Sequence, residues 1–345
     1  MSYRQDPPFA VQVELVEGCT LSCEFCGING IREKPGNFKF MDLADVLNVG
    51  NRLKEAIELH KWNPRIEFAM HGEPSMHPQL DRCITILRHL LPRQTMVLFS
   101  NGSGFVKNPD MMNHLLELGL NAIGLDAYEH VNIVPRVMEG YAHVAKYPVF
   151  RYPQQKEHSL HVAKRKVPKS IVVIQDISKA DEGNHSSLNT HCGGGMKPPA
   201  TITARCAKPF RELAIRWDGN VALCCNDFRG VYKVANITDM PLEELWNHRY
   251  FDAARRILMT GNRHFTPCSS CNAKSMRVGL LPDKMGKVTM PEPTEDDFDD
   301  AAKAVGGEAF TPPVRRLWEI EPGTENFPVG DHVYPLNILD RKKLQ

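Results

Sequence analysis

The sequence predicts an α/β protein built on a parallel, barrel-like sheet. Three observations predict it. Short apolar, β-branched runs alternate with amphipathic helical stretches along the first half of the chain. Their spacing suits βαβ units, which make parallel sheets. The residues that carry chemistry cluster where the strands end, the side on which a parallel barrel-type sheet displays its functional groups.

The elements follow in order. Phe9 to Val16 is a first strand, broken by Glu17-Gly18. Asp42 can cap a helix whose apolar positions are Leu43, Val46, Leu47, Leu53 and Ile57. Ile66 to Met70 reads as a buried strand that stops at His71-Gly72-Glu73-Pro74. Leu80, Cys83, Ile84, Leu87 and Leu91 recur with helical period. Met96 to Phe99 is a strand ending in Ser100-Asn101-Gly102, and Pro109 to Leu118 is a helix closed by Gly119. Ala122 to Leu125 is a fourth strand, ending at Asp126. Beyond it a helix around Ile133 to Lys146 and a strand at Ser170 to Ile177 are expected, with the stretch between them unassigned. Pro198-Pro199 reads as a linker. Leu213–Trp217 and Val221–Cys225, joined by Asp218-Gly219-Asn220, make a hairpin. Six of the nine residues from Glu292 to Asp300 are acidic, which suggests a mobile tail.

Composition narrows the class. A chain of 345 residues with 42% hydrophobic content can build one large core, or one core and a smaller module. Lys plus Arg (42) and Asp plus Glu (41) nearly cancel, so global charge points to no polyanionic partner. The N-terminus lacks the basic and apolar regions of a signal peptide, and no run of about 18 apolar residues occurs. A cytoplasmic protein without a membrane span is the expectation. In that setting ten cysteines suggest metal binding or catalysis rather than a disulfide framework.

Cys19, Cys23 and Cys26 lie within one eight-residue loop. Three thiolates leave one iron of a [4Fe–4S] cluster open, and an open coordination position is what a reactive metal site needs. The motif resembles the CxxxCxφC signature of the radical S-adenosylmethionine (SAM) superfamily, with Phe25 as the aromatic residue. The resemblance implies a partial (β/α)6 TIM-like barrel and a SAM-binding cluster. It also implies reductive cleavage of SAM to a 5′-deoxyadenosyl radical, and a one-electron donor such as flavodoxin or ferredoxin. Gly72, Glu73 and Pro74 resemble that family's GGE-type motif, with His71 in place of a Gly. Ser100 and Asn101 resemble its Thr-Asn-Gly motif, and Gly124-Leu125-Asp126 its Ser-Leu-Asp strand end. The implied cofactor contacts are Phe25, Gly72, Glu73, Pro74, Ser100, Asn101 and Asp126.

A second group, Cys206, Cys224, Cys225, Cys268 and Cys271, resembles the SPASM/twitch extensions of the same superfamily. The resemblance implies one auxiliary [4Fe–4S] cluster on Cys206, Cys268, Cys271 and either Cys224 or Cys225, with Cys224 preferred. A structural zinc site is the alternative that spacing alone permits. Domains are expected at 1–197 (partial barrel), 198–285 (SPASM/twitch-like) and 286–345 (polar, Pro-rich extension).

Cys83 and Trp246 read as core, His71 and His77 as makers of ordinary polar contacts, and Cys192, in His-Cys-Gly-Gly-Gly, as an inert loop thiol. The segment 146–169 holds seven Lys or Arg and one acid, Glu157, and reads as a solvated face. Modification of a peptide or protein side chain is the leading expectation for function. Small-molecule dehydrogenation and nucleotide or nucleic-acid modification are the alternatives, and a non-enzymatic zinc-binding interaction protein is the alternative of another class.

Overall fold

The computed structural model describes residues 5–128, 131–152, 170–176, 190–195, 202–273 and 291–306. Its centre is a nine-stranded sheet. In chain order the strands are β1 (Ala10–Val13), β4 (Arg65–Phe68), β5 (Met96–Ser100), β6 (Ala122–Ala127), β7 (Val149–Tyr152), β8 (Ile171–Asp176), β9 (Glu212–Ile215), β10 (Asn220–Ala222) and β11 (Lys233–Asn236). The spatial order is β11-β10-β9-β1-β4-β5-β6-β8-β7. Every pairing from β9 to β7 is parallel, and only the pairings of β10, with β9 and with β11, are antiparallel. A two-stranded ribbon, β2 (Val16–Glu17) with β3 (Lys39–Phe40), stands beside it.

Parallel strands need long crossovers, and helices supply them. Helix α1 (Leu43–His60) begins where the Asp42 carboxylate accepts from the Asp45 amide at 2.8 Å. Such a cap contributes about 1 kcal/mol. The helix buries Val46, Val49 and Leu53, while Leu47 faces solvent. Helix α2 (Leu80–Leu90) buries Leu80, Cys83, Ile84 and Leu87. Helices α3 (Met111–Glu117) and α4 (Ile133–Ala142) complete the layer. Cys83 and Trp246 are fully buried, as expected of core residues. Strand β7 fills part of the stretch that the pattern leaves unassigned.

The C-terminal half continues the sheet instead of standing apart. Strand β9 pairs with β1 in parallel, Val11 opposite Leu213, and turns through Asp218-Gly219 into β10. Gly219 takes φ +77° there, a conformation that suits glycine. Helix α5 (Lys208–Arg211) packs on β9 and on α7 (Arg249–Met259), and α6 (Leu242–Trp246) packs on α1. Trp62 meets Trp246 edge to face at 6.4 Å and donates to Glu243 at 2.6 Å, fastening α6 to the first half.

One expectation fails. Residues 294–306 are not a loose tail: Glu295–Ala304 forms helix α8, started by a reciprocal capping box between Thr294 and Asp297. Phe298 is buried, and Asp297 accepts from Arg256 of α7 at 2.9 Å. Three of the six acidic residues, Glu295, Asp296 and Asp297, sit in the first turn, where the helix dipole favours them, so the composition that suggested disorder is that of a capped helix. Most of the basic run, and Pro198-Pro199, lie outside the described residues. Within them Lys146 pairs with Glu117 and Arg151 with Asp176.

Candidate active site: two cysteine centres joined by a loop

The first centre forms where β2, β4, β5 and β6 end. Gly18 and Gly72 bridge the ends of β2 and β4, and Glu73 N donates to Gly18 O at 2.8 Å. A Cβ on Gly72 would lie 2.0 Å from Val16 O, so this glycine is required by backbone approach. The loop that follows carries Cys19, Cys23 and Cys26. Arg32 clamps it by donating to the carbonyls of Cys19 and Leu21, and Asn29 donates to Cys23 O at 2.7 Å.

The three thiols face a cavity of about 150 Å³. Phe25, Gly72, Glu73, Ser100, Asn101 and Asp126 line the same cavity, so the structure brings together every residue expected there but one. Pro74 is the exception: it is buried and opens the 3-10 turn Pro74–Met76. Met70, Phe99 and Tyr128 also line the cavity and were missed from the sequence, and His71, read from the sequence as making ordinary polar contacts, lines it too. Met70 adopts φ +100°, an unusual backbone for a side chain of its size. No local sequence signal marks it beyond its place before the His-Gly-Glu turn.

Glu73 ties the strand ends together. Its Oε1 accepts from Ser75 N (3.0 Å), Ser75 Oγ (2.5 Å) and Ser100 Oγ (2.5 Å), and its Oε2 accepts from Asn101 N (2.7 Å). Burial still holds this carboxyl above its ordinary range. Asn101 also donates to Cys19 Sγ at 3.3 Å. Burial, and then the charge of Glu73, push Asp126 up to about 7. Burial raises the Cys19 and Cys26 thiols, Cys26 to about 11, so both stay protonated at neutral pH until a metal displaces the proton.

The second centre gathers Cys206, Cys224, Cys268 and Cys271, all buried. Arg263, fully buried, donates to the carbonyls of Ala204 (2.8 Å), Arg205 (3.2 Å), Cys271 (3.3 Å) and Ala273 (2.8 Å). It thereby holds the Cys206 segment against the Cys268–Cys271 turn. The adjacent thiols Cys224 and Cys225 have different neighbours. Cys225, taken from the sequence as a candidate ligand with Cys224, instead accepts from Lys208 Nζ at 2.9 Å and donates to Glu212 at 3.2 Å. Burial works to raise the Glu212 carboxyl, but Lys208 and Arg211 outweigh it and take it down to about 2. Burial pushes the Cys224 thiol well up, Lys208 opposing and Cys225, Glu212 and Cys206 adding to it; burial likewise raises Cys268, with Cys206 and Cys271 adding.

Cys192 was expected to be inert, yet its side chain hydrogen-bonds to that of Cys271. That bond holds Cys271 down to about 5, while Cys192 itself is pushed well up. His71 lies between the centres. Its Nδ1 is 2.7 Å from Glu14, its Nε2 is 3.2 Å from Cys225 O, and its ring packs on Phe228 at 4.3 Å.

The donor sets fit iron–sulfur clusters. Among the described residues no three His, Cys, Asp or Glu side chains converge to hold a single ion. A cubane presents separate iron corners, so its thiolates need only face a common space, as Cys19, Cys23 and Cys26 do.

Comparison with known proteins agrees. Residues 206–272 match the model of SPASM, an iron–sulfur cluster-binding domain. A protein of Niallia circulans, S-adenosyl-L-methionine-dependent 2-deoxy-scyllo-inosamine dehydrogenase, is 21% identical over 268 residues, spanning 77% of this chain and 94% of its own. The crystal structure of BtrN in complex with AdoMet and 2-DOIA superposes with a TM-score of 0.57 at 19% identity, covering 79% of this chain and 95% of that one. BtrN in an open conformation gives 0.53 at 18% identity, covering 82% and 99%. The chain therefore has the fold of the radical SAM enzymes. Its segment 206–272 is similar to the SPASM iron–sulfur cluster-binding domain, in line with the resemblance. No helix among the described residues is long and apolar enough to cross a membrane.

Proposed function

We propose that this chain is a radical SAM dehydrogenase of a small hydroxylated molecule. The observation that carries the reading is the single cavity shared by Cys19, Cys23, Cys26 and the ends of three strands. When bound there, a [4Fe–4S] cluster and SAM supply reductive cleavage to methionine and a 5′-deoxyadenosyl radical, which takes a hydrogen atom from substrate.

The protein's own groups do the rest. Cys19, Cys23 and Cys26 would hold a [4Fe–4S] cluster through three thiolates, with SAM beside it in the same cavity. Asn101 steadies Cys19 through its 3.3 Å contact. Glu73, bonded to Ser100 Oγ and Asn101 N, ties together the strand ends that would hold SAM in the cavity lined also by Asp126 and Tyr128. Phe25 and Tyr128, 5.8 Å apart, shield the cavity from water, which a primary radical requires. Cys206, Cys224, Cys268 and Cys271 hold the auxiliary cluster. Dehydrogenation of an alcohol carbon removes two electrons and two protons: one of each would leave as the hydrogen atom, the second electron would go to the cluster held by those four cysteines, and the second proton to water. A one-electron donor such as flavodoxin or ferredoxin would resupply the first centre.

Of the substrate classes expected from the sequence, the small molecule is preferred over the peptide. The Niallia dehydrogenase aligns over nearly its whole length, and BtrN, whose structure holds 2-DOIA, shares the fold. The test is anaerobic reconstitution. The intact protein should bind about eight irons, and Cys19→Ala should bind about four and form no 5′-deoxyadenosine. Colourless protein carrying zinc, with no SAM cleavage, would sink the reading in favour of a zinc-binding protein. A carbon-deuterated aminocyclitol should pass deuterium to 5′-deoxyadenosine; transfer only from peptides would overturn the substrate class.

A further inference from the structure

Cys224 and Cys225 are neighbours in the chain, and a set of four thiolates with Cys206, Cys268 and Cys271 needs only one of them. Their surroundings differ. The Cys224 sulfur is buried and makes no hydrogen bond among the described residues. The Cys225 sulfur is engaged as acceptor and as donor. Lys208 Nζ donates to it at 2.9 Å, and it donates to Glu212 Oε1 at 3.2 Å. The Cys225 carbonyl is held as well, 3.2 Å from His71 Nε2.

The two groups that hold this sulfur are themselves fixed. Lys208 Nζ donates to Glu212 Oε1 at 2.8 Å, so the sulfur, the ammonium and one carboxylate oxygen close a triangle. The side chains of Lys208 and Glu212 are only 5% and 2% exposed. Lys208 opens α5, and Glu212 opens β9, where it stands opposite Ala10 of β1. The triangle is thereby anchored to the central sheet. Arg211, 3.7 Å from Glu212 Oε2, sets a second cation beside the same carboxylate. Hydrogen bonds to charged groups are stronger than neutral ones, and a buried group that leaves them finds little water in their place. To ligate iron, the Cys225 sulfur would have to leave both bonds. The Cys224 sulfur has none to leave.

We infer that Lys208 and Glu212 are a ligand-selecting clamp: they hold the Cys225 sulfur and so leave Cys224 as the fourth ligand of the auxiliary site. Both are positioning residues, because they act through Cys225. The inference rests on the auxiliary cluster proposed above, and it assigns two adjacent thiols to different duties.

The test uses full-length protein in which Cys19, Cys23 and Cys26 are all Ala, so that only the auxiliary cluster is observed after anaerobic reconstitution. This parent should bind about four irons. Cys225→Ala should keep that iron and the parent's EPR spectrum; loss of the iron with folding retained would make Cys225 a ligand and overturn the inference. Cys224→Ala should lose most of the iron, because the clamp still holds the remaining thiol. Adding Lys208→Met and Glu212→Gln to Cys224→Ala should restore most of it, as the released Cys225 takes the empty place. Replacing both together leaves neither clamp charge buried without the other. A purely structural role cannot produce that regain, since damage to the fold only removes iron. Full iron in Cys224→Ala with the clamp intact would overturn the inference. So would the absence of any regain in the released variant while urea unfolding shows it folded. Should the double replacement not fold, Glu212→Gln alone in the Cys224→Ala background is read in the same way. A parent that binds no iron would instead defeat the auxiliary-cluster reading, and the clamp with it.

Discussion

Two carboxyls at neighbouring strand ends behave differently because their partners differ. Glu73 accepts four hydrogen bonds from Ser75, Ser100 and Asn101. Replacing it with Gln sets an amide donor against groups that are themselves donors. Glu73→Gln should cost about 1–3 kcal/mol by urea unfolding, and it should weaken SAM binding. Asp126 is pushed up to about 7 by burial and by the nearby Glu73 charge. Its folded pKa thus lies above its unfolded one, near 3.8. The folded state holds that proton between pH 4 and 7 while the unfolded chain has lost it, so cluster-free protein loses stability as pH rises through this window. Asp126→Asn should therefore stabilise cluster-free protein at pH 8 by a few kcal/mol, roughly, and have almost no effect below pH 4. An equal gain at both pH values would refute the assignment.

At the scale of elements, the site depends on strand ends meeting more closely than side chains allow. A Cβ on Gly72 would overlap the Val16 carbonyl, so Gly72→Ala should part the ends of β2 and β4 and displace Glu73. Reconstituted Gly72→Ala should hold less than half of the iron at its first centre and unfold earlier in urea; wild-type iron and midpoint would contradict the geometry. Helix α8 is a second case. Phe298 is buried against the rest of the chain, and Asp297 pairs with Arg256 of α7. Phe298→Ala should cost about 3 kcal/mol by chemical denaturation, whereas a loose tail would tolerate it without cost.

At the scale of the molecule, one sheet carries both centres. Strand β1 pairs with β4 on one side and β9 on the other, so the first cysteine loop and the SPASM segment hang from adjacent strands. The two centres are still separately removable, because different loops supply their thiols. Cys268→Ala should lower iron from about eight to about four and leave SAM cleavage uncoupled from substrate oxidation. Loss of both clusters in that variant, measured by Mössbauer spectroscopy, would contradict two independent sites.

Much of this was legible in the linear chain. Cys19, Cys23 and Cys26 announce themselves because a metal motif is local: its ligands lie within one loop and their spacing is the signal. The strands ending at Glu73, Ser100 and Asp126 were readable because apolar runs and their breaking residues are also local. Met70, Tyr128 and Arg263 were not, since each matters through contacts with segments distant in the chain. Cys224 was preferred over Cys225 from the sequence; that Lys208 and Glu212 bond the Cys225 thiol is seen only in the fold. Helix α8 was misread because an acidic run looks the same in a disordered tail and in a capped first turn; only the apolar surface that receives Phe298 separates them. Cys192 is the plainest instance. From its neighbours it is one more loop thiol, and only folding sets it beside Cys271, 79 positions away, because proximity in space is a property of the packed chain and not of the sequence interval.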